Sequence, residues 1–82
     1  MTDEDAKIRR AAEANALLAN QLLQDTLDEV EKTAIDAVLS AKDDDTRRDA
    51  AATARATRDF RSKLQAIIRT GKQAAERTAR KG

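Results

Sequence analysis

The feature that most constrains this chain is the absence of helix-breaking residues over its first 70 positions. The sequence has no proline, and its two glycines are Gly71 and Gly82. Alanine occurs 18 times, and Leu, Glu, Gln, Lys and Arg supply much of the rest. These residues favour helices because they lose little side-chain freedom there. The sequence therefore predicts a single all-α domain built from long helices or a coiled coil.

Two stretches place apolar residues at helical spacing. The first predicts helix 1 over about residues 5–41, with Thr2 and the acidic residues after it as an N-terminal cap. Asn20 is the polar member of its apolar seam, where it either fixes the register of packing or lies near a wet end. The second predicts helix 2 over about residues 47–70. The two seams are Ala16, Asn20, Leu23, Leu27, Val30, Ala34, Ala37 and Ala41 on helix 1, and Thr53, Thr57, Phe60, Leu64, Ile67, Gly71 and Ala74 on helix 2.

The segment AKDDDTRRDA, residues 41–50, separates the two stretches. At about 100° per residue, the second seam lies about 120–140° round the helix axis from the first. Thr46 and Asp49 form a variant of the capping box, and the aspartates before Thr46 suit a helix N-terminus. These signals predict an antiparallel two-helix hairpin with a turn near residues 42–46. One continuous bent helix, supported by pairs such as Asp43 with Arg47, is the alternative.

Gly71 interrupts the basic end of the chain, for which two interpretations stay open. Gly71 either terminates helix 2 as a residue after its C-cap, or lies on the apolar seam and lets another helix approach closely. Residues 71–82 have no large apolar side chain. We expect this basic tail to fray or to become ordered on a partner.

Large apolar residues are few, 14 in all when Met1 is left aside. Fully buried, they would contribute about 2 kcal/mol each, which is little against the entropy lost on ordering a chain of this size. Several of them also lie off the seam of helix 1, so that helix needs two apolar neighbours. The sequence therefore predicts a hairpin completed by self-association into a helical bundle. The self-association candidates are Leu18, Leu22, Ile35 and Leu39.

Charge is divided along the chain. Residues 1–41 carry four basic and nine acidic residues, whereas residues 42–82 carry twelve basic and six acidic ones. Opposite charges on the two helices would favour their pairing, weakly for each exposed pair. Arginines on helix 2 form a ridge that points away from its apolar seam and either binds an anionic partner or is only solvated. The candidate residues are Arg48, Arg55, Arg58, Arg69 and Arg80.

Several classes of function lack the residues that they need. The chain has neither His nor Cys, which removes the usual general base, the thiol nucleophile and most transition-metal sites. Asp43, Asp44 and Asp45 lack the glycine and glutamate of an EF-hand loop. The absence of Trp and Tyr disfavours base stacking in nucleic-acid binding. We expect no catalytic residues, no cofactor, no metal, no small-molecule substrate, no signal peptide and no membrane span.

The order of these features resembles small helical-hairpin proteins of tailed bacteriophages and prophages. The resemblance covers about residues 15–72, from LLANQLLQDTLDEVEKTAIDAVLSA through DTRRD to DFRSKLQAIIRTGK. That family often has a Trp on its first helix, where this chain has none. The resemblance implies a virion-assembly or DNA-packaging component, in the cytoplasm of a bacterial host or in the virion. The matching residues are Leu22, Leu23, Glu29, Glu31, Ile35, Arg47, Phe60, Leu64, Ile68, Gly71 and Lys72.

Three functional hypotheses follow. The first is a non-enzymatic structural protein that forms homo-oligomers or docks on another protein. The second is a nucleic-acid-associated accessory protein that uses the arginine ridge and the basic tail, with binding that weakens as salt rises. The third is a small phage inhibitor that docks on a host protein. The oligomeric state in solution would separate the first hypothesis from the others.

Overall fold

The computed structural model describes residues 2–81, and the side chains of residues 2–80. Three helices make up nearly all of this part of the chain: α1 (Asp3–Leu18), α2 (Gln21–Ser40) and α3 (Asp44–Lys81). The all-α class is confirmed. The two-helix hairpin is wrong, because the helix predicted over residues 5–41 is two separate helices. Met1 and Gly82, at the ends of the predicted domain, lie outside the described residues.

Helix α1 begins with a complete capping box. The backbone N–H of Asp5 donates to Thr2 Oγ1 at 3.1 Å, and the backbone N–H of Thr2 donates to Asp5 Oδ2 at 3.5 Å. The first turn contains three acidic residues, Asp3, Glu4 and Asp5. Their carboxylates stabilise the helix because they interact favourably with the partial positive charge of its N-terminus. This confirms the predicted cap, and the helix begins at Asp3.

The break between α1 and α2 lies at Ala19 and Asn20, without a glycine or a positive φ angle. The Ala19 N–H donates to the Asn15 carbonyl oxygen at 3.0 Å, and the Asn20 N–H donates to Leu17 at 3.1 Å. Asn side chains compete for backbone hydrogen bonds and therefore favour helix ends. Asn20, which was predicted to lie on the apolar seam of helix 1, thus lies between two helices.

The turn between α2 and α3 is shorter and earlier than predicted. It spans residues 41–43, and α3 starts at Asp44. Asp43 caps the helix: its Oδ1 accepts the Thr46 backbone N–H at 2.7 Å, and its Oδ2 accepts the Thr46 hydroxyl at 3.0 Å. The prediction that Thr46 and Asp49 form the cap is therefore wrong, because Asp43 already satisfies the donor groups of the first turn.

Helix α3 continues through Gly71 to Lys81, a length of 38 residues. The prediction that helix 2 ends at residue 70 is wrong, and so is the interpretation of Gly71 as a terminating residue. Positions 72–80 of the predicted tail are helical and mostly exposed. Good helix formers on both sides of Gly71 allow the helix to absorb its cost of about 1 kcal/mol.

The chain divides into two compact units. The first unit contains the chain up to Asn20 together with the chain from Ser62 onward. In it, α1 lies antiparallel to the end of α3, as the order of the pairs Glu4 with Arg77 and Ala11 with Gly71 shows. The second unit is Gln21–Arg61, in which α2 and the start of α3 form an antiparallel hairpin. No described helix is long and apolar enough to cross a membrane.

Alanine supplies most of the buried apolar positions. Ala14, Ala34, Ala54 and Ala74 are buried, and Leu64, at 8% exposure, is the one large apolar side chain buried to this degree among residues 2–80. Small side chains let helix backbones approach closely, but they remove little apolar area from water. The interior of each unit is therefore thin, and larger side chains remain at its margins.

Candidate interaction surfaces

The contact between α2 and α3 has a groove on each side. The first, which we call the valine groove, has a volume of about 450 Å³. The second, which we call the leucine groove, has a volume of about 330 Å³. The two grooves share no lining residue. The valine groove is lined by Glu29, Val30, Thr33, Ala34, Ala37, Ala50 and Thr53, and the leucine groove by Ile35, Val38, Leu39, Ala51, Ala54, Arg55 and Arg58.

Large apolar side chains near these grooves are incompletely covered. Leu39, in the leucine groove, is 80% exposed, and Val30, in the valine groove, is 41% exposed. Phe60 is 45% exposed, although the sequence placed it on the inner seam of helix 2. The inner face of α3 in this unit contains Thr57, as the seam predicted, together with Ala54 and the half-buried Arg61, which the seam did not include. The prediction that Phe60 lies on the inner face is wrong.

The four self-association candidates differ in exposure. Leu22 is 75% exposed and Leu39 is 80% exposed, so both present apolar surface to solvent. Ile35 is half-buried and lines the leucine groove. Leu18 is half-buried in the other unit, at the end of α1. The structure therefore brings Ile35 and Leu39 together in one groove.

Two ion pairs cross from α2 to α3. Arg58 Nε donates to Glu31 Oε1 at 3.2 Å, and Arg61 Nη2 donates to Asp28 Oδ1 at 2.6 Å. The acidic helix and the basic helix thus pair as the charge division predicted. Each pair has one partner that is mostly exposed, so its contribution to stability is small.

The five candidate arginines are distributed over both units. Arg48 forms an ion pair with Asp45 at 3.6 Å, and Arg58 reaches back to α2. By contrast, Arg55, Arg69 and Arg80 are exposed and have no carboxylate within 4 Å among the described residues. Arg69 and Arg80 belong to the unit that contains α1, whereas the other three belong to the α2 hairpin.

Basic residues that the sequence did not single out meet in the first unit. Lys7 and Arg10 of α1 and Lys63 of α3 line a groove of about 230 Å³ with Ala66, Ile67 and Thr70. Lys7 also pairs with Glu4 at 3.8 Å. The spacing of Lys7 and Arg10 shows only that they lie on the same side of α1. Lys63 joins them in the groove because α1 packs against the end of α3. That pairing was missed because helix 1 was predicted to be continuous.

The aspartate cluster at the turn is a helix cap. The backbone N–H and the hydroxyl of Thr46 hold the pKa of Asp43 below its ordinary value of 3.8; desolvation opposes this, and the backbone N–H of Asp45 adds a smaller lowering. The residues described contain no group of three acidic side chains placed to hold a metal ion. Asp44 and Asp45 instead form ion pairs with Arg47 and Arg48 in the first turn.

No family model, no curated protein and no solved structure matches this chain. The function of the protein is therefore inferred from its own surfaces. The class that these surfaces define is a small all-helical protein with a thin alanine interior, exposed leucines and arginines that have no carboxylate partner among residues 2–80.

Proposed function

We propose that this protein is a non-enzymatic structural protein that assembles with copies of itself through the apolar side chains of the α2 hairpin. One observation carries the proposal: of the 14 large apolar residues between Ile8 and Ile68, only Leu64 is buried. A second protein surface over the remaining ones would complete the interior that the chain alone lacks.

The exposure of Leu22 and Leu39 gives an energetic reason for self-association. Each is at least 75% exposed. Burial of a leucine side chain contributes about 1.5–3 kcal/mol, so covering both would add a large fraction of the stability of a small domain. The leucine groove, which Leu39 lines, contains Ile, Val, Ala and Arg side chains, and none of these is a usual general base or nucleophile.

The resemblance to small helical-hairpin proteins of tailed bacteriophages supports a setting for this assembly. We propose a role in virion assembly or DNA packaging, in the cytoplasm of the bacterial host or in the virion. The exposed Leu22 and the half-buried Ile35 are among the residues that carry the resemblance.

Light scattering coupled to size-exclusion chromatography tests the assembly. We expect a mass that is a multiple of the 9.0 kDa chain and falls toward 9.0 kDa in the double variant Leu22→Ser, Leu39→Ser. Leu17→Ser is the matched control, since Leu17 is also exposed but lies in the other unit. A well-folded wild-type monomer at high concentration would refute the proposal, and tight binding of that monomer to one host protein would support an inhibitor.

A second candidate function is a nucleic-acid-associated accessory protein. The observation that favours it is the exposure of Arg55, Arg69 and Arg80 without a carboxylate nearby among the described residues. Unpaired arginines need not break an internal ion pair before they contact a phosphate, so their full charge contributes to binding.

Fluorescence anisotropy with a labelled DNA duplex tests this second candidate. The logarithm of the affinity should fall linearly with the logarithm of salt, by about 0.9 for each phosphate contacted. Replacing Arg55, Arg69 and Arg80 with alanine should reduce that slope by about 2–3, whereas Arg58→Ala, which removes an arginine already paired with Glu31, should change it less. Absence of binding at about 50 mM salt would exclude the candidate.

A further inference from the structure

The α2 hairpin has two sides that differ in charge. On the side of the valine groove, Glu29 lines the groove and Asp49 lies one helical turn before Thr53, whose hydroxyl bonds to the Asp49 carbonyl oxygen. Both carboxylates are exposed and form no ion pair with the described residues. Among the described residues, no Lys or Arg lines this groove. The valine groove is therefore an apolar trough with an unpaired acidic rim.

The leucine groove has the opposite character. Arg55 and Arg58 line it, and neither an Asp nor a Glu does. Arg58 is paired with Glu31, whereas Arg55 has no carboxylate within 4 Å among the described residues. Leu39 stands at its margin with most of its side chain in solvent. This side thus carries one protruding apolar group beside one unpaired positive charge.

The two sides face in different directions. At about 100° per residue, Val30 and Leu39 lie about 180° apart round the axis of α2. Ala34 and Ala54, which are buried between the helices, separate them. A single hairpin cannot bring its own two sides together, whereas two hairpins can.

From this complementarity we infer that the partner of the α2 hairpin is a second copy of the chain, docked with its leucine groove against the valine groove of the first. Leu39 of one copy enters the apolar trough beside Val30 of the other, and Arg55 reaches Glu29 and Asp49 of that copy. The inference deepens the self-association proposed above and depends on it. The oppositely charged rims set the register of the two copies.

Such a contact joins two different surfaces. Each copy keeps one unused surface of each kind, so further copies add in the same way until a ring closes or a stack grows. An interface that joined two identical surfaces would stop at a dimer. Both surfaces that determine this mode of assembly therefore lie on one hairpin of 41 residues, Gln21–Arg61.

Engineered cysteines test the contact directly, because the natural chain has none. Leu39→Cys and Val30→Cys are prepared as separate full-length proteins of distinguishable mass. Under mild oxidation we expect a disulfide between the two variants when they are mixed and little between copies of either alone. Leu39→Cys that links to itself as efficiently as to Val30→Cys would overturn the inference.

Charge reversal gives a second test that leaves the apolar groups intact. Arg55→Glu should weaken assembly about three- to tenfold, since it replaces attraction with repulsion. Adding Glu29→Arg to that variant should restore the affinity, whereas Arg69→Glu, an equal change on the other unit, should have little effect. No rescue by Glu29→Arg would overturn the inference. Wild-type assembly without the disulfide or the rescue refutes this interface alone; a wild-type monomer refutes the proposed function as well.

Discussion

At the scale of single residues, Gly71 packs against α1 too closely to leave room for a side chain. A Cβ built there would overlap the Cβ of Ala11 and would lie 2.8 Å from the carbonyl oxygen of Lys7. The φ angle of Gly71 is not positive, so the glycine is needed for closeness between α1 and α3 and not for an unusual backbone. The second interpretation of Gly71 from the sequence is thus the one that the structure supports.

We predict that Gly71→Ala destabilises the fold. Alanine gains about 1 kcal/mol of helix propensity, but forcing α1 away from α3 costs more, and we expect a net loss of about 1–2 kcal/mol. Thermal unfolding followed by circular dichroism measures it. Ala11→Gly in the same chain should recover part of the loss, as a positive coupling in a double-mutant cycle. A stability gain in Gly71→Ala would show that the helices separate freely.

Arg61 occupies an inner position between Thr57 and Leu64. Its side chain is 26% exposed, and its Nε is buried without a hydrogen-bond partner among the described residues. Burying a polar donor in this way opposes folding, while the aliphatic stem of the same side chain favours it. The favourable contribution of Arg61 to the free energy of folding therefore comes from the packing of its side chain.

Substitutions at Arg61 should separate these two parts. Arg61→Met keeps the packing and removes the buried donor, so we expect a change in unfolding free energy of at most about 1 kcal/mol, in either direction. Arg61→Ala removes both and should cost about 1–2 kcal/mol. Urea unfolding of the two variants checks this. Equal losses in both would mean that the ion pair with Asp28 dominates.

At the scale of elements, the start of α3 depends on the ionised carboxylate of Asp43. Because its pKa is lowered on folding, Asp43 stabilises the helix above its ordinary pKa of 3.8. That contribution is lost as the pH falls below this value and the carboxylate becomes protonated. The N-terminal turn of α3 should therefore open in acid before the rest of the helix.

Amide hydrogen exchange in the first turn of α3 tests this expectation. Protection in the wild type should fall as the pH drops below about 3.8 and stay level from there up to about pH 7, while Asp43→Asn should show a flatter profile because its amide oxygen caps at every pH. Asp43→Ala should lose protection throughout. Asp45→Asn, which leaves the Asp43 cap in place, is the control. A wild-type profile in Asp43→Asn would contradict the assignment.

Helix content was predictable from this sequence, and helix number was not. Every residue from Ala6 to Ser40 tolerates a helix, so composition alone gives no signal for a break at Ala19. The phase of the buried residues does: Ala14 and Ala34 would lie about 160° apart on one straight helix. A single seam along helix 1 does not reveal this change of phase at Ala19 and Asn20. The change of phase near Asp43 is recognisable because the charge reversal and the capping residues lie at the same place.

Surface positions were predicted less well than helices. Leu18, Leu22, Ile35 and Leu39 lie off the predicted seam of helix 1, and the structure exposes two of them, Leu22 and Leu39. The basic groove of Lys7, Arg10 and Lys63 was missed, since residues more than 50 positions apart meet there only through tertiary pairing. Phe60 was misplaced because its spacing puts it on the predicted seam with Thr57 and Leu64, whereas Ala54 and Arg61 occupy the inner face beside Thr57.

At the scale of the whole molecule, assembly should contribute to stability by mass action. Partners that bind only the folded chain raise its unfolding temperature as the total protein concentration rises. We predict that the midpoint of thermal unfolding increases by several degrees over a hundredfold range of concentration. Scanning calorimetry or circular dichroism at matched scan rates measures this shift. The double variant Leu22→Ser, Leu39→Ser should show a lower and concentration-independent midpoint.

The alanine interior has a further consequence, for how such a chain can change over time. Alanine has no side-chain rotamers to lose on burial, so each interior contact forms without choosing among alternatives. The same simplicity leaves no side chain that could rotate away to admit a larger neighbour at Ala14, Ala34, Ala54 or Ala74. Inheritable variation should therefore collect on the outward positions, where new partners are acquired, while the spacing of the helix backbones stays fixed.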